Sequence, residues 1–285
     1  MIDERLTQIA RHKLVELLSR RTGQTLSENR LWRIDTALKP LMLQHNIATL
    51  IELVDRLHRA QSDYLADEVT DALLNNESFF FRDHLMFEHL SRNVLNDLRG
   101  ANIARKSLSI WMAGCSTGQE AYSMAMLFAD DPIRWQGWRI RLVATDVSVG
   151  AINRAAQGRY SQFEVQRGLP IGKMIKWFEQ EGECWRVRPE LRSRVEFQRQ
   201  NLLEQTPGGA PFDLILCRNV LLYFSLAMRN QVFARLKSAI SPRGYLMLGA
   251  GETVIGQTED FRSSTVHRGF YAPTVQDEVR QTVSA

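Results

Sequence analysis

The first hundred residues carry apolar side chains at intervals of three and four, the spacing of one face of an α-helix. The series are Leu6, Ile9, Leu14, Leu17 and Leu18, then Leu31, Ile34, Leu38 and Leu41, then Leu50, Ile51, Leu53, Val54 and Leu57. Ser62 and Asp63 are expected to cap a further helix that runs to about Leu74. The pattern predicts a helical region without strands.

Near Gly100 the pattern changes to short apolar runs that alternate with helical stretches. The predicted strands are 107–113, 140–145, 195–198, 212–217 and 245–248. The predicted helices between them are 119–128, 149–157 and 227–239. Such alternation is typical of a mostly parallel sheet covered by helices, so we predict an α/β domain.

Residues 158–194 interrupt this alternation. They hold a helix-like stretch at 174–178 and an apolar and basic run at 185–188, which together predict a small insertion on the sheet domain. The sequence Ser-Pro-Arg-Gly at 241–244 predicts a turn before the next strand. The polar tail from about Pro273 is expected to be frayed.

The first predicted strand ends in a loop bounded by Gly114 and Gly118, and a predicted helix follows at once. Glycine permits positive φ and close approach of a ligand to the backbone. Ser116 and Thr117 are expected to cap the helix, whose first N–H groups would face a ligand above the strand end. This order favours a nucleotide-type ligand over a structural tight turn, without distinguishing among cofactors.

Asp146 ends the second predicted strand, at the same edge of the sheet as the glycine loop. An acidic residue there suits the two hydroxyls of a ribose. The alternative is that Asp146 caps the following helix, since aspartate is a favoured N-cap. We favour the ribose role.

The predicted strand 212–217 becomes polar at its far end, where Arg218 and Asn219 follow, with Tyr223 shortly after. Ligands of open α/β sheets lie beyond the carboxyl ends of strands, so Arg218 and Asn219 are well placed for one. The alternative, weighed about equally, is that Arg218 pairs with a carboxylate and Tyr223 is packing.

Residues 75–83 (NNESFFFRD) place three phenylalanines among polar groups where the two patterns meet. The plain interpretation is an apolar contact beside a helix capped by Asp83, with Arg82 as a solvated charge.

Composition is that of an ordinary globular protein of 285 residues, 44% hydrophobic, with a net charge of +4 that is too small to indicate nucleic acid. No run of about 18 apolar residues occurs, so we expect no membrane insertion. Three widely spaced cysteines predict neither a disulfide framework nor a zinc site and fit a reducing cytoplasm.

The early helices carry a set of basic residues, namely Arg11, Lys13, Arg20, Arg21, Arg30 and Arg33. These residues form either a solvated face or a docking face for an acidic partner.

Several segments, taken in order, resemble the motifs of the chemotaxis receptor glutamate methyltransferases, the CheR family. They are 76–83 (NESFFFRD), 113–120 (AGCSTGQE), 144–146 (ATD), 158–160 (GRY), 212–224 (FDLILCRNVLLYF) and 244–252 (GYLMLGAGE). Each motif is modest, but their order and spacing are specific, and the match runs from about residue 5 to 272.

The resemblance implies a class I S-adenosylmethionine-dependent methyltransferase sheet domain with an N-terminal all-α domain and a small antiparallel β insertion. We expect the helical domain and linker at 1–90, the methyltransferase domain at 91–285 and the insertion at about 158–194. The implied reaction transfers the methyl group of S-adenosylmethionine to glutamate carboxylates in the cytoplasmic helices of chemoreceptors. Its products are glutamyl methyl esters and S-adenosylhomocysteine, and we expect a cytoplasmic monomer.

The same motifs imply cofactor contacts and no metal. The contacts are Asn76, Ser78, Arg82, Glu120, Asp146, Asn201, Leu202, Arg218 and Asn219. Asp146 would take the ribose, and Glu120 would meet the methionine ammonium. Arg82 and Tyr223 are the expected catalytic residues: Arg82 holds the substrate carboxylate, and Tyr223 lines the methyl-transfer position. Glutamate, with a pKa of about 4.3, is ionised at neutral pH, so the reaction needs no general base.

The chain departs from the family pattern at Ser78, which replaces Thr, and at Gln119 and Ala121, which replace Glu and Pro. These changes motivate an alternative, a catalytically weakened module that binds cofactor or receptor. A nicotinamide oxidoreductase is a weaker alternative because the loop lacks GxGxxG spacing. The loop at 179–184 is shorter than in relatives that grip a receptor's C-terminal tether peptide, so we expect the protein to act without the tether.

Overall fold

The computed structural model describes residues 2–59, 63–209 and 211–274. The chain forms two compact units. The helical unit comprises Met1–Asn75 and Tyr223–Met228, and the sheet unit comprises Asn76–Leu222 and Arg229–Ala285. Ser62 and the tail from 275 onward lie outside the described residues, and the limits 1–90 and 91–285 remain our proposal. In the described part of the chain, no helix combines the length and apolarity that crossing a membrane requires.

The helical unit confirms the helices predicted from the apolar spacing. Its described helices are α1 (Ile2–Thr22), α2 (Trp32–Gln44), α3 (Leu50–Arg59) and α4 (Tyr64–Leu73). α1 packs on α3 and α2 on α4, which buries Leu14, Ile34 and Leu53 completely. Asp63 precedes α4 but makes no side-chain cap, so that expectation was wrong. Its carboxylate accepts a hydrogen bond from Arg21 instead.

The sheet unit contains short helices and two sheets. Its described helices are α5 (His84–His89), α6 (Leu95–Ala101), α7 (Gln119–Ala129), α8 (Val149–Gln157), α9 (Gln162–Gln166), α10 (Ile171–Trp177), α11 (Pro189–Arg192) and α12 (Leu226–Ala239), the last beginning in the segment assigned to the helical unit. Its described strands are β1 (Ser107–Ala113), β2 (Arg139–Asp146), β3 (Arg159–Ser161), β4 (Phe178–Glu181), β5 (Cys184–Val187), β6 (Val195–Arg199), β7 (Phe212–Cys217), β8 (Ile240–Leu248), β9 (Phe261–Ser263) and β10 (Phe270–Pro273).

The larger sheet confirms the predicted parallel architecture. Its strand order is β6-β2-β1-β7-β8-β10-β9. The first five strands run parallel, whereas β10 runs antiparallel to both β8 and β9. Every residue of β7 is buried, as expected for a central strand covered on both faces. The carboxyl ends of β1, β2, β6 and β7 therefore lie along one edge.

The turn predicted at 241–244 was wrong, because these residues belong to β8. Phe212 pairs with Ile240 and Leu214 pairs with Tyr245, so Asp213 alone lies opposite the four residues 241–244. The extra residues form a bulge. Proline and glycine are accommodated more easily in a bulge than in a regular strand ladder. A Cβ on Gly244 would lie 3.0 Å from the carbonyl oxygen of Asp213, so the backbones approach too closely for a side chain.

The insertion forms the smaller antiparallel sheet, in the order β3-β5-β4. Gly182 and Glu183 alone join β4 to β5. Asp130, which follows α7, accepts hydrogen bonds from Lys173, Lys176 and Trp177 of α10. This contact fixes α10, within the insertion, to the end of a helix that covers the large sheet.

Candidate active site

The glycine loop, residues 114–118, turns the chain from β1 into α7. Gly114 and Gly118 have φ of +79° and +92°, as predicted from their residue type. The N–H groups of Gly114 and Cys115 donate to the carbonyl oxygen of Thr145 at 2.8 and 2.9 Å. A Cβ on Gly114 would lie 2.4 Å from Val220, so the loop also requires glycine for space.

Neither hydroxyl of the glycine loop caps α7, so that prediction was wrong. Gly118 occupies the cap position, where no side-chain hydrogen bond forms. The Ser116 hydroxyl donates to the carbonyl oxygen of Asn76 at 2.8 Å. The Thr117 hydroxyl donates to the side chain of Gln119 at 2.8 Å. The two hydroxyls therefore bond to Asn76 and Gln119, and neither caps the start of α7.

Asp146 holds the glycine loop at the carboxyl end of β2. Its Oδ2 accepts from the N–H of Ser116 at 2.8 Å, and its Oδ1 from the N–H of Ser148 at 3.0 Å. The alternative that Asp146 caps α8 is wrong, because Ser148 is the cap and accepts from the N–H of Ala151. The carboxylate thus lies beside the loop, and its ribose role stays a prediction.

Arg218 is the buried centre of an ionic cluster, and its side chain is only 1% exposed. One guanidinium nitrogen donates to Glu120 Oε2 at 2.7 Å, and another to Asp83 Oδ2 at 2.5 Å. The second nitrogen also donates to the carbonyl oxygen of Arg82 at 3.0 Å. The structure therefore brings Glu120 and Arg218 together, and the interpretation that Arg218 pairs with a carboxylate fits these contacts.

The motif segment, residues 76–83, is fastened to the glycine loop and α7. The N–H of Phe81 donates to the Ser123 hydroxyl at 3.0 Å. Phe80 is fully buried and packs edge-on against Tyr160 and Phe178, with ring centroids 5.2 and 5.5 Å away. Phe80 and Phe81 are thus the packing side of the segment.

Asp83 stands at the N-cap position of α5, but its side chain does not cap the helix as expected. It has φ of 60° and makes no cap bond to α5, because its carboxylate is held by Arg218.

Arg82 is half-buried rather than a plain solvated charge. Its guanidinium lies 5.3 Å from the centre of the Phe79 ring and makes one long hydrogen bond, 3.5 Å, to the carbonyl oxygen of Glu77. Asn76 and Ser78 are half-buried in the same segment. The contact with Arg218 fixes the backbone of Arg82 while its side chain makes only weak contacts.

Glu252 organises the loop that follows β7. Its Oε2 accepts from the N–H groups of Asn219 and Gly249, at 2.7 and 2.9 Å. Its Oε1 accepts from the N–H groups of Leu221 and Leu222, at 2.8 and 3.4 Å. One carboxylate therefore sets the backbone of Asn219, whose φ of 59° is left-handed.

Asn201 and Leu202 follow β6, which pairs with β2. The N–H of Gln200 donates to the carbonyl oxygen of Asp146 at 2.8 Å, so this turn lies beside Asp146. The side chain of Asn201 accepts from the N–H of Leu203 at 3.0 Å, and Leu202 is buried.

Tyr223 belongs to the helical unit. Its hydroxyl accepts a hydrogen bond from the Asn75 amide, and its carbonyl oxygen accepts from the N–H of Thr25 at 2.9 Å. Its predicted place beside the methyl group stays a prediction.

Two acceptor groups lie at this edge of the sheet. Asp146 is one, and Asn219 Oδ1 is another, since this buried oxygen has no partner among the described residues. Sequence reasoning missed the supporting roles of Asp83 and Glu252, although both stand in segments that carry the family motifs. No cluster of metal-binding side chains occurs within the described ranges.

The three thiols are free and differ in their surroundings. Cys115 in the glycine loop and Cys217 at the end of β7 are buried, and burial raises the pKa of both well above its ordinary value. Cys184 in β5 is half-exposed.

Residues 76–270 match the family model described as CheR methyltransferase, SAM binding domain. Chemotaxis protein methyltransferase 1 of Pseudomonas aeruginosa is 37% identical over 241 residues, covering 83% of this chain and 87% of that protein. Chemotaxis protein methyltransferase Cher2 of Pseudomonas putida is 34% identical over 249 residues, covering 86% and 90%. The solved N-methyltransferase NodS from Bradyrhizobium japonicum, with bound S-adenosyl-L-homocysteine, is 18% identical with a TM-score of 0.31, covering 56% of this chain and 63% of that one. A likeness this loose carries no weight for function.

These matches confirm three expectations from the motifs. The large sheet is that of a class I methyltransferase, the cofactor is S-adenosylmethionine, and the chain is a methyltransferase enzyme of chemotaxis. The chain belongs to the CheR family of S-adenosylmethionine-dependent methyltransferases.

Proposed function

We propose that this methyltransferase esterifies glutamate side chains in the cytoplasmic helices of chemoreceptors, acting as a cytoplasmic monomer. The observation that carries the proposal is the ionic cluster of buried Arg218 with Glu120 and Asp83, which ties the motif segment to the cofactor side of the sheet. The cluster holds Arg82 by its carbonyl oxygen, so a guanidinium suited to a carboxylate substrate stands next to the proposed cofactor contacts.

S-adenosylmethionine supplies an electrophilic methyl group on a sulfonium. A glutamate oxygen forms the new C–O bond as the C–S bond breaks, and the sulfonium becomes the neutral thioether of S-adenosylhomocysteine. No proton is transferred, because the attacking carboxylate is already ionised at neutral pH. What remains for the protein is to align the carboxylate with the methyl group and to exclude water.

Arg82 is proposed to hold the acceptor carboxylate, with Tyr223 beside the transferred methyl group. Guanidinium can grip both carboxylate oxygens, but the carboxylate loses its charge as the ester forms. An arginine that held the ground state too firmly would therefore raise the barrier. The weak contacts of the Arg82 side chain leave it able to adjust to the acceptor.

The cofactor contacts are proposed from the acceptors along the sheet edge. Asp146 would accept from the ribose hydroxyls, with Asn201 and Leu202 on the neighbouring turn. Glu120 Oε2 is bonded to Arg218, so we assign Oε1 to the methionine ammonium. Asn76, Ser78 and Asn219 would complete the enclosure.

The departures at Gln119 and Ala121 lie in the buried first turn of α7. Gln119 is 1% exposed and accepts from the Thr117 hydroxyl, and Ala121 is fully buried. These contacts support retained cofactor binding. A weakened binding module would bind cofactor yet label no receptor.

We propose that receptors dock on the basic side of the helical unit. Arg11 pairs with Asp35, and Arg21 with Asp63 and Asp67, so their charges are already balanced. Lys13 and Arg20 are exposed and stand seven residues apart on α1, which places them on one face. These two side chains are the proposed core of the docking charge.

The two-residue turn at Gly182 and Glu183 supports action without the tether. The resemblance associates tether binding with a longer, glycine-rich loop at this place.

The test is to incubate the protein with chemoreceptor membranes and methyl-labelled S-adenosylmethionine. We expect base-labile label on a receptor-sized band, equal for receptors with and without their C-terminal tether. A receptor whose candidate glutamates are changed to alanine is the matched control and should stay unlabelled. Label that survives base, or none despite cofactor binding, would contradict the glutamate proposal, and label that needs the tether would contradict tether independence alone.

A further inference from the structure

The amino ends of the central strands carry polar side chains where a parallel sheet is normally apolar on both faces. Ser107 pairs with Arg139 and Ser109 with Arg141 across β1 and β2. The N–H of Ser109 donates to Asp213 of β7 at 2.9 Å. Residues two apart on a strand share a face, so these side chains form one polar surface.

A cavity of about 580 Å³ opens over this polar surface. Four arginines contribute to its lining, namely Arg105, Arg139, Arg141 and Arg194. Its volume falls in the range of small-molecule sites. Because β1, β2 and β7 run parallel, this arginine cavity lies at the opposite edge from the glycine loop and Asp146.

The positive charge of the arginine cavity is only partly balanced. The Asp213 carboxylate forms an ion pair with Arg105. It also accepts hydrogen bonds from the Asn102 amide at 3.3 Å and from the N–H of Ser109. Glu196 lies 3.6 Å from Arg141 and is half-exposed. Arg139 and Arg194 form no ion pair with any carboxylate in the ranges that the structure describes.

Two further features of the cavity wall suit a ligand. The Ser109 hydroxyl is buried and has no hydrogen-bond partner among the described residues. The Arg141 guanidinium lies 5.5 Å from the centre of the Phe212 ring and donates to the carbonyl oxygen of Gly208 at 2.9 Å. These contacts hold Arg141 in place, so part of the site is organised in advance.

We propose that the arginine cavity binds a small molecule bearing phosphate groups. Guanidinium matches phosphate oxygens two at a time, and several guanidiniums around one cavity favour a polyanion over a single carboxylate. The cavity is far larger than inorganic phosphate, which points to a diphosphate or to a phosphate ester of nucleotide size. This site is independent of methyl transfer.

The experiment measures binding by calorimetry with S-adenosylhomocysteine at saturation, which blocks the adenosine pocket. Pyrophosphate and guanosine diphosphate are the probes, and guanosine is the uncharged control. We expect saturable one-site binding of at least one phosphate probe, weakened by salt, with guanosine at least tenfold weaker. Comparing the two probes distinguishes an inorganic diphosphate from a nucleotide as the source.

The double variant R139A/R194A should weaken phosphate binding by about tenfold or more, because two charge-assisted contacts are lost. R92A/R268A removes the same charge from exposed positions outside the cavity and should change little. S-adenosylhomocysteine affinity and melting temperature check the fold, and R194A alone, at an exposed position, is the milder variant. Absence of saturable binding, competition with S-adenosylhomocysteine, or equal losses in both double variants would overturn the proposal.

Discussion

Arg82 combines a fixed backbone with a loosely held guanidinium, which suggests a substrate role rather than a structural one. We predict that Arg82→Ala leaves S-adenosylhomocysteine affinity within a few-fold and lowers kcat by roughly 10²-fold, since the acceptor carboxylate is no longer positioned. The kcat of Arg82→Lys should lie between those of the parent and Arg82→Ala, because lysine keeps the charge but lacks the planar fork of guanidinium. Calorimetry and turnover on receptor membranes measure the two quantities.

Arg167 provides the matched control for Arg82. It stacks on the same Phe79 ring at 4.5 Å and bonds to Glu77, but it lies outside the motif segment. Arg167→Ala should keep most activity. Collapse of cofactor binding in Arg82→Ala would instead make Arg82 a cofactor ligand.

Glu252 is the second residue with a separable role, since its carboxylate accepts four backbone N–H groups. Glu252→Gln replaces one acceptor oxygen by a donor, which leaves backbone groups unsatisfied at a cost of roughly 1–3 kcal/mol. We predict lower stability to urea and weaker S-adenosylhomocysteine binding, because the Asn219 loop moves. Glu259→Gln, at an exposed carboxylate seven positions further along the chain, should change neither. Unchanged cofactor affinity in Glu252→Gln would show that the loop held by Glu252 does not contribute to cofactor binding.

Residue types at strand ends sufficed to identify Asp146, Arg218 and Asn219 as candidates. Their partners were beyond sequence reasoning, because Arg218 is separated from Glu120 by 98 positions in sequence and from Asp83 by 135. Because of the same separation in sequence, the contact of Asp83 with Arg218 could not be predicted. The local pattern instead predicted that Asp83 caps a helix.

At the scale of elements, the glycine loop depends on both the φ of Gly114 and its contact with Val220. We predict that Gly114→Ala destabilises the protein and weakens cofactor binding more than a positive φ alone would explain. Gly137→Ala isolates the φ effect, since Gly137 has φ of +76° with nothing within 4 Å of an added Cβ. An alanine in this region costs roughly 1–2 kcal/mol.

The double variant G114A/V220A tests the contact directly. It should recover the part of the loss caused by the clash, 2.4 Å for the added Cβ, but not the backbone strain. Urea unfolding measures each variant. Equal losses for Gly114→Ala and Gly137→Ala would show that the contact with Val220 does not matter.

Asp130 should make the stability of the insertion dependent on pH. Burial acts to raise the pKa of Asp130, but hydrogen bonds from Lys173, Lys176 and Trp177 outweigh it, so the pKa lies below its ordinary value of 3.8. A carboxylate whose pKa is lowered on folding stabilises the protein above that ordinary value. The contribution is lost as the pH falls through the lower pKa of the folded state.

Asp130→Asn should therefore melt at a lower temperature than the parent at pH 7, by about 2–4 °C for each kcal/mol lost. The difference should shrink in strong acid. Asp131→Asn alters the exposed neighbouring carboxylate and serves as the control. A difference that persists unchanged at low pH would rule out the ionic contribution.

Elements with long apolar runs were predictable, and β1, β7 and α8 have their predicted limits. β9 and β10, of three and four residues, were missed because so short a run carries little pattern. The bulge in β8 was missed because Pro242 and Gly244 signal a turn locally, whereas Ile240 and Tyr245 on either side of the bulge both pair with β7.

At the scale of the whole molecule, the docking proposal rests on charge rather than on a pocket. We predict that K13E/R20E raises the KM for receptor membranes several-fold at low salt, without changing kcat or S-adenosylhomocysteine affinity. Complementary charge mainly promotes encounter, and salt screens exposed charges. The effect should therefore diminish as ionic strength rises.

R92E/R268E makes the same change of charge on exposed residues of the sheet unit and should leave receptor KM nearly unchanged. Equal increases in KM for both variants would show that receptor binding depends on net charge alone and not on a docking face.

The order of the sequence motifs was enough to identify the family, because the motifs span most of the chain. The strand order could not be predicted, since sequence pattern marks strands without pairing them. The assignment of 223–228 to the helical unit was also out of reach, because it depends on contacts such as that between Tyr223 and Asn75.

The unequal thiols make the natural sequence suitable for site-selective labelling. Maleimides react with thiolates, which burial and a raised pKa suppress at Cys115 and Cys217. Cys184 is half-exposed in β5, directly after the two-residue turn on which the proposal of tether independence rests. A fluorophore attached there without any mutation would report directly on whether a receptor tether touches the insertion.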